Sequence, residues 1–208
     1  RNILKGIYAI TPDNLNESEI LDITDILIQS GIKIVQFRNK VLPKSRKEAL
    51  ALKLRHVGNN YEACLIVNDD PNLALICNAD GIHLGQNDMP CSEARKFFGK
   101  DFIIGVSCQN SQELALKAYN EGADYIAIGS IFKTNSKLDP SKASIEDLNY
   151  ISTQIPIPIV AIGGININNI NQLSNTSAKM VAISEGLYAT KEPKIITNDL
   201  INNFKLNS

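Results

Sequence analysis

The sequence predicts an α/β protein, a single-domain (β/α)8 TIM barrel over residues 1–208. Eight short runs rich in Ile and Val alternate with segments of helical periodicity. The runs are nearly continuous in apolar residues, as in parallel strands that are buried on both faces. A length of 208 residues is close to the lower limit of about 200 for this fold. A doubly wound sheet is the alternative, but eight strands favour the barrel because the last strand can close on the first.

The order of elements follows from the apolar runs and from the polar segments that separate them. The predicted strands are Gly6–Thr11, Ile32–Phe37, Leu65–Val67, Gly81–Leu84, Phe102–Val106, Tyr125–Ile128, Ile159–Ile162 and Val181–Ile183. The predicted helices are Ser18–Ser30, Ser45–Val57, the short Pro71–Cys77, Ser111–Glu121, Ser144–Thr153, Asn168–Leu173 and Asn198–Leu206. We expect Asn16 and Ser111 to cap the helices that follow them, and Asp70 to start the short helix before Pro71.

Composition excludes several classes of function. Lys and Arg number 21 and Asp and Glu number 22, so a net charge of −1 gives no general attraction to nucleic acid or to anionic membranes. No apolar run approaches the ~18 residues of a membrane span, and no signal-peptide pattern opens the chain. The four cysteines form no C-x-x-C pair, which predicts reduced, mostly buried thiols in a cytoplasmic protein. A homo-oligomer is compatible with this composition.

Polar side chains follow nearly every predicted strand, where TIM barrels carry their chemistry. Asp69 and Asp88 close the third and fourth strands, which are neighbours in a barrel. Two carboxylates with few competing protein ligands suit Mg²⁺, which keeps bound waters and recruits phosphate oxygens. Asp is also a common turn residue, so either position taken alone fits both interpretations.

Three cations follow the second and sixth strands and could surround a polyphosphate: Arg38, Lys40 and Lys137. Gln36 and Arg38 alternate along one strand, so both are expected to point into the barrel. An inward arginine needs an anion or an acidic partner. A solvated basic face is the alternative interpretation of such a cluster.

Glycines and a histidine mark two further positions. Gly163-Gly164 and the Ser184-Glu185-Gly186 segment end the last two strands, where backbone N–H groups of this barrel class commonly bind phosphate. Glycine also permits tight packing, which is the alternative. His83 lies within the fourth strand and could act as an acid or base. A histidine packed and hydrogen-bonded across the barrel is the favoured interpretation.

These residues belong to segments that together resemble the thiamine-phosphate synthase family over nearly the whole chain. The segments are YAITPD at 8–13, QFRNK at 36–40, LIVNDDPNLAL at 65–75, ADGIHLGQNDMP at 79–90, IIGVSCQN at 103–110, GADYIAIGSIFKTNSK at 122–137, IPIVAIGGI at 157–165 and VAISEGLYA at 181–189. The resemblance implies a single-domain barrel that couples a pyrimidine methyl diphosphate to a thiazole ethyl phosphate. The products would be thiamine phosphate and diphosphate.

The resemblance also implies roles for individual side chains. The pyrimidine diphosphate would contact Gln36, Arg38, Lys40, Asn68, Ser107 and Lys137, of which Arg38, Lys40, Ser107 and Lys137 are the expected catalytic residues. Asp69 and Asp88 would bind Mg²⁺. The thiazole phosphate would contact Thr134, Ser136, Gly164, Ile183 and Ser184. The chain departs from the family pattern at Asn39, usually Glu, which stays a candidate substrate contact, and at Ser136, usually Thr.

Other activities use the same fold. A thiazole-tautomerase-like relative would move a proton, with His83 as a candidate, and would need no diphosphate site. A non-catalytic protein could bind thiazole phosphate alone, and an epimerase-type barrel would need an acid pair that this sequence does not place. Loop 130–142 is long and polar, which makes it a candidate lid.

Overall fold

Eight parallel strands close into a barrel in the order in which they occur along the chain, and β8 pairs with β1. The structure is a computed structural model that describes residues 3–133 and 142–204. The strands are β1 Gly6–Ile10, β2 Ile34–Phe37, β3 Cys64–Asn68, β4 Gly81–Leu84, β5 Ile103–Gln109, β6 Tyr125–Ile128, β7 Ile159–Ile162 and β8 Met180–Ile183. The predicted (β/α)8 barrel is therefore confirmed, because a doubly wound sheet would leave two open edges.

Helices follow the strands and cover the outside of the barrel. They are α1 Glu17–Gln29, α2 Lys44–Asn60, α3 Pro71–Ile76, α4 Cys91–Phe98, α5 Gln112–Asn120, α6 Ile145–Ser152, α7 Glu185–Tyr188 and α8 Pro193–Asn203. The three predicted caps are confirmed: the side chains of Asn16, Asp70 and Ser111 accept hydrogen bonds from backbone N–H groups three residues later.

Several helix predictions were wrong or incomplete. The last helix begins at Pro193, not at Asn198, because the fixed φ of proline suits the first helical turn. The predicted helix over Asn168–Leu173 is a single 3-10 turn at Ile170–Leu173. Helices α4 and α7 were not predicted, since each is short and buries two residues, too few for a recognisable apolar stripe.

Alternation along the strands separates the core into two layers. Side chains inside the barrel include Tyr8, Ile34, Ile66, Tyr125 and Met180, all buried. The intervening strand residues pack outward against the helices in the larger apolar clusters. The interior is therefore a packed core, and ligands must bind at a rim.

Gly105 on β5 allows the large ring of Tyr125 to fit inside the barrel. A Cβ atom at position 105 would overlap the Cζ atom of that ring. The two residues face each other across the β5–β6 pair. Glycine is therefore required at position 105 because the Tyr125 side chain approaches closely, and not because of the backbone conformation.

Three of the four cysteines are buried, as predicted. Burial raises the pKa of the Cys77 and Cys91 thiols to about 11 and that of Cys108 to about 12. These thiols are therefore protonated at neutral pH. Within the described ranges, no helix combines the length and the apolar character needed to cross a membrane.

Candidate active site

The carboxyl end of β2 brings Gln36 and Arg38 to the barrel mouth. Gln36 is buried, and its Nε2 donates to the hydroxyl of Tyr8 at 2.9 Å, so its predicted inward orientation is confirmed. Arg38 forms an ion pair with Asp13, the acidic partner that an inward arginine requires. Thr11 joins the ends of β1 and β2: its hydroxyl donates to the carbonyl of Arg38 at 2.8 Å and accepts from the N–H of that residue at 2.9 Å.

The loop after β2 places Lys40 beside the end of β3. The ammonium of Lys40 pairs with the carboxylate of Asp69, and its backbone N–H donates to Asp13 at 2.8 Å. Asn39 is buried, and its Oδ1 accepts hydrogen bonds from the N–H groups of Val41 at 3.1 Å and Leu42 at 2.7 Å. The side-chain amide oxygen of Asn39 therefore stabilises the conformation of the loop that carries Lys40.

Asp69 and Asp88 lie close together at the ends of β3 and β4, so that each carboxyl group shifts the pKa of the other. Asp69 has a φ of 63°, a left-handed conformation that Asp tolerates better than most residues. Its backbone N–H donates to the carbonyl of His83 at 2.9 Å. Asp88 accepts a hydrogen bond from the N–H of Gly85 at 2.7 Å. The predicted neighbouring carboxylates are thus brought together.

The two carboxyl groups differ in their affinity for protons. Partial burial acts to raise the pKa of Asp69, but its hydrogen bonds to Lys40 and Asp88 and the charge of Lys40 lower it overall. Burial raises the pKa of Asp88, and the hydrogen bond to Asp69 raises it further. Two like charges in contact favour protonation of one member or binding of a cation.

This carboxylate pair fits a magnesium ion. Within residues 3–133 and 142–204, no cluster of three or more His, Cys, Asp or Glu side chains could bind a metal by itself. Mg²⁺ does not require such a cluster, because it is commonly held by one or two carboxylates together with water and substrate phosphate. Asp69 and Asp88 would be its protein ligands, and the like-charge contact between them is what a cation would relieve.

A cleft of about 330 Å³ lies beside these groups. Its walls include Asn39, Lys40, Asn68 and Asp69. Asn68 is the last residue of β3 and is partly exposed. The cleft thus borders Asp69 and three of the residues predicted to contact the substrate, Asn39, Lys40 and Asn68.

Ser107 lies on β5 next to a bulge in the pairing with β6. Its hydroxyl is 2.9 Å from Nε2 of His83, and its carbonyl accepts from Nε2 of Gln86 at 2.5 Å. Nδ1 of His83 lies 3.1 Å from the hydroxyl of Tyr125. The favoured interpretation of His83 as a packed, hydrogen-bonded histidine is therefore confirmed.

The last strands carry the predicted thiazole phosphate residues. Gly163 and Gly164 have φ values of 104° and 63° and pack against the backbone after β6: a Cβ atom at Gly164 would lie 2.9 Å from the carbonyl of Phe132. Close packing thus accounts for both glycines. Ser184 precedes α7. The side chain of Ile183 is buried in the outer core, so only its backbone can reach a ligand at the rim.

Part of the predicted site lies outside the described residues. Thr134, Ser136 and Lys137 fall there, as does most of the candidate lid at 130–142. The described cations at this rim that were predicted from the sequence are Arg38 and Lys40.

Three residues at the site were not assigned a role from the sequence. Asp13 holds both Arg38 and the backbone of Lys40, and the requirement of an inward arginine for an acid could have identified it. Tyr8 and Tyr125 lie inside the barrel and connect Gln36 to His83. A tyrosine within an otherwise aliphatic strand is the signal that could have identified them.

Comparison with known proteins decides the family. The model of the thiamine monophosphate synthase family matches residues 7–187. The chain belongs to this family. Membership identifies it as a transferase of thiamine biosynthesis, and the resemblance seen in the sequence is confirmed.

Individual relatives support this membership over nearly the whole length of the chain. The thiamine-phosphate synthase of Nitrosospira multiformis is 40% identical over 192 residues, which are 92% of this chain and 82% of the relative. That of Methanobrevibacter smithii is 36% identical over 98% of this chain and 97% of its own length.

Solved structures extend the comparison to three dimensions. The thiamine phosphate pyrophosphorylase of Pyrococcus furiosus superposes with a TM-score of 0.86 at 30% identity, covering 98% of this chain and 96% of that one. A 3-hexulose-6-phosphate synthase superposes with a TM-score of 0.72 at 12% identity, covering 96% and 99%. The second similarity shows the barrel fold alone.

Proposed function

We propose that the chain joins 4-amino-2-methyl-5-(diphosphomethyl)pyrimidine to 4-methyl-5-(2-phosphoethyl)thiazole, or to its carboxylated form, and releases diphosphate. The observation that carries this proposal is the adjacency of the carboxyl pair Asp69–Asp88 and the cations Arg38 and Lys40 at one rim. A diphosphate substrate with a divalent cation requires both kinds of group side by side. Proton transfer on a thiazole, the alternative chemistry, would not require them.

The charged groups at this rim compensate one another in a way that suits exchange with a metal–diphosphate ligand. Lys40 pairs with Asp69, and the lysine side chain is about half exposed, at 53%. Asp69 is 24% exposed, and an ion pair that water reaches in this way contributes little to stability, typically ~0–1 kcal/mol. Binding of a diphosphate to Lys40 and of a cation to Asp69 would break this ion pair, and the free energy of unfolding would change little.

Charge stabilisation is the main chemical task of these residues. We propose that the C–O bond between the pyrimidine methylene and the diphosphate breaks first, and that the bonding electron pair leaves with the diphosphate. The negative charge that develops on this leaving group is stabilised by Arg38, Lys40 and Lys137. Ser107 donates a hydrogen bond to the leaving group. Bound Mg²⁺ would supply further charge neutralisation at the diphosphate oxygens.

The thiazole then completes the reaction. The aminopyrimidine stabilises the methylene cation, and the lone pair of the neutral thiazole nitrogen attacks it to form the new C–N bond. We propose that Gln36 and Asn68 orient the pyrimidine, which is supported by the inward side chain of Gln36 and by the position of Asn68 in the wall of the cleft. We propose that Thr134, Ser136, Gly164, Ser184 and the backbone of Ile183 bind the thiazole phosphate, an assignment supported by the family resemblance.

A two-substrate assay tests this proposal. The purified chain is incubated with both phosphorylated heterocycles, with Mg²⁺ or with a chelator, and thiamine phosphate and diphosphate are quantified. We expect equimolar appearance of both products that requires Mg²⁺. Binding of the thiazole phosphate without release of diphosphate would contradict the proposal and would indicate a binding protein. Metal-independent isomerisation of a thiazole carboxylate would indicate a tautomerase instead.

A further inference from the structure

A continuous chain of hydrogen bonds crosses the inside of the barrel. Nε2 of Gln36 donates to the hydroxyl of Tyr8 at 2.9 Å, and that hydroxyl is 2.8 Å from the hydroxyl of Tyr125. The Tyr125 hydroxyl is 3.1 Å from Nδ1 of His83, and Nε2 of His83 is 2.9 Å from the hydroxyl of Ser107. This chain of hydrogen bonds links Gln36 on β2 to Ser107 on β5, both of which the proposed function assigns to the substrate.

The central members of this chain are shielded from water. Tyr8 is 1% exposed and Tyr125 is fully buried, while the ring of His83 stacks on that of Tyr125 with centroids 5.6 Å apart. Burial raises the pKa of both tyrosines, so each phenol keeps its proton. Each phenol can therefore donate one hydrogen bond, and a donation made in one direction cannot be made in the other.

Because each hydroxyl has a single proton, all the hydrogen bonds in this chain must run from donor to acceptor in the same direction. Within the described residues, the hydroxyl of Tyr8 has two partners, Gln36 and Tyr125, and it accepts from the first. Its own proton must then go to Tyr125, and the proton of Tyr125 must go to Nδ1 of His83. Nδ1 is therefore an acceptor, Nε2 carries the proton of the ring, and it donates to Ser107. The proton of Ser107 is left for a ligand.

We propose that Tyr8 and Tyr125 are positioning residues that hold His83 as the Nε2–H tautomer, and that His83 in turn presents Ser107 to the substrate as a hydrogen-bond donor. This inference rests on the proposed function, because a diphosphate has only acceptor oxygens and needs a donor there. In the reverse direction, the carbonyl of Gln36 accepts from Tyr8, Nδ1 of His83 carries the proton, and Ser107 donates to His83. Ser107 would then offer the diphosphate only lone pairs, which repel it.

Nitrogen NMR of the histidine rings tests the direction without substrate. The protein has two histidines. Replacing the exposed His56 by Gln makes His83 the one histidine that contributes to the spectrum. We expect the protonated-nitrogen shift at Nε2 and the unprotonated one at Nδ1. Tyr8→Phe and Tyr125→Phe should each shift this pattern toward a mixture of tautomers. The first variant no longer fixes which way the Tyr125 proton points, and the second removes the donor to Nδ1. A proton on Nδ1 in the otherwise unaltered chain, or an unchanged pattern in Tyr125→Phe, would overturn the proposal.

A double-mutant cycle tests whether Tyr125 acts through Ser107. Loss of one buried hydrogen bond predicts that Tyr125→Phe lowers kcat/KM by ~10-fold. In a Ser107→Ala background the same substitution should have almost no further effect, because the donor that it orients is gone. Equal losses in the two backgrounds would overturn the proposal, since they would indicate a general structural role.

Tyr188→Phe is the matched control for the loss of a buried tyrosine hydroxyl. Tyr188 is also buried, and its hydroxyl is 2.9 Å from that of Thr24, outside the barrel. This substitution removes an equivalent hydrogen bond and should leave both the His83 spectrum and kcat/KM unchanged. A chain that shows the Nε2–H pattern but makes no thiamine phosphate would contradict the proposed function alone, because the spectrum is recorded without substrate.

Discussion

Replacing Asp69 by Asn is expected to lower kcat for thiamine phosphate formation by roughly 100-fold, the scale of losing one preorganised charge contact. The substitution keeps the shape of the side chain and removes its charge. Asn also tolerates the left-handed backbone at this position, where φ is 63°. The loss should therefore arise from the site and not from the fold. Steady-state kinetics at saturating Mg²⁺, with circular dichroism as a check on folding, measures it.

Asp25→Asn is the control for removal of one negative charge. Asp25 is a partly exposed residue of α1, far from the barrel mouth in sequence, and its carboxylate accepts a hydrogen bond from Gln29 at 2.8 Å. We expect its kcat to equal that of the unaltered chain. If Asp69→Asn also turned over at the unaltered rate, the assignment of the carboxyl pair to the metal would be wrong.

Gly105→Ala is expected to reduce the free energy of unfolding by about 3 kcal/mol, at the upper end of the usual cost of overpacking a core. The added methyl would occupy the space of the Tyr125 ring, which is fully buried and cannot move outward through the barrel wall. Displacement of this ring would also break its hydrogen bonds to Tyr8 and His83. Urea denaturation followed by circular dichroism measures the change.

Gly99→Ala separates overpacking from backbone strain. Gly99 has a φ of 78°, but a Cβ atom there would meet no other atom within 4 Å. Its ψ is −177°, a conformation that is almost confined to glycine, so the expected cost is ~1–3 kcal/mol from the backbone alone. Gly99→Ala should keep the near-ultraviolet circular dichroism of the buried tyrosines, whereas Gly105→Ala should change it. An unchanged spectrum in Gly105→Ala would show that the Tyr125 ring does not fill the space above Gly105.

The fold could be predicted because the strands carry a strong, repeated signal. Buried parallel strands are apolar on both faces, and the predicted bounds of Tyr125–Ile128 and Ile159–Ile162 match those in the structure. Short elements carry no such signal. Helix α7 has four residues, and the Ile170–Leu173 turn is stabilised by contacts that its own sequence does not encode.

The candidate site could be predicted in position but not in its internal connections. Residues at the ends of parallel strands converge at one rim whatever their identity, which is why Asp69 and Asp88 were expected to be neighbours. Which cation pairs with which acid depends on side-chain conformations in the loops. The pairs Arg38–Asp13 and Lys40–Asp69 therefore emerge only from the structure.

The interior network was missed for a related reason. Tyr8 and Tyr125 are separated by 117 residues along the chain, and their contact depends on closure of the barrel. Sequence periodicity assigns both to the core but does not show that their hydroxyl groups meet. The structure adds this contact, from which we infer the direction of the hydrogen bonds.

A crystal structure of the chain with the pyrimidine diphosphate and Mg²⁺ tests the central claim most directly. We predict the diphosphate within hydrogen-bond distance of Arg38, Lys40 and Ser107, with the ion bound by Asp69 and Asp88 and the Lys40–Asp69 pair separated. A diphosphate bound elsewhere, with that ion pair intact, would contradict the proposed site.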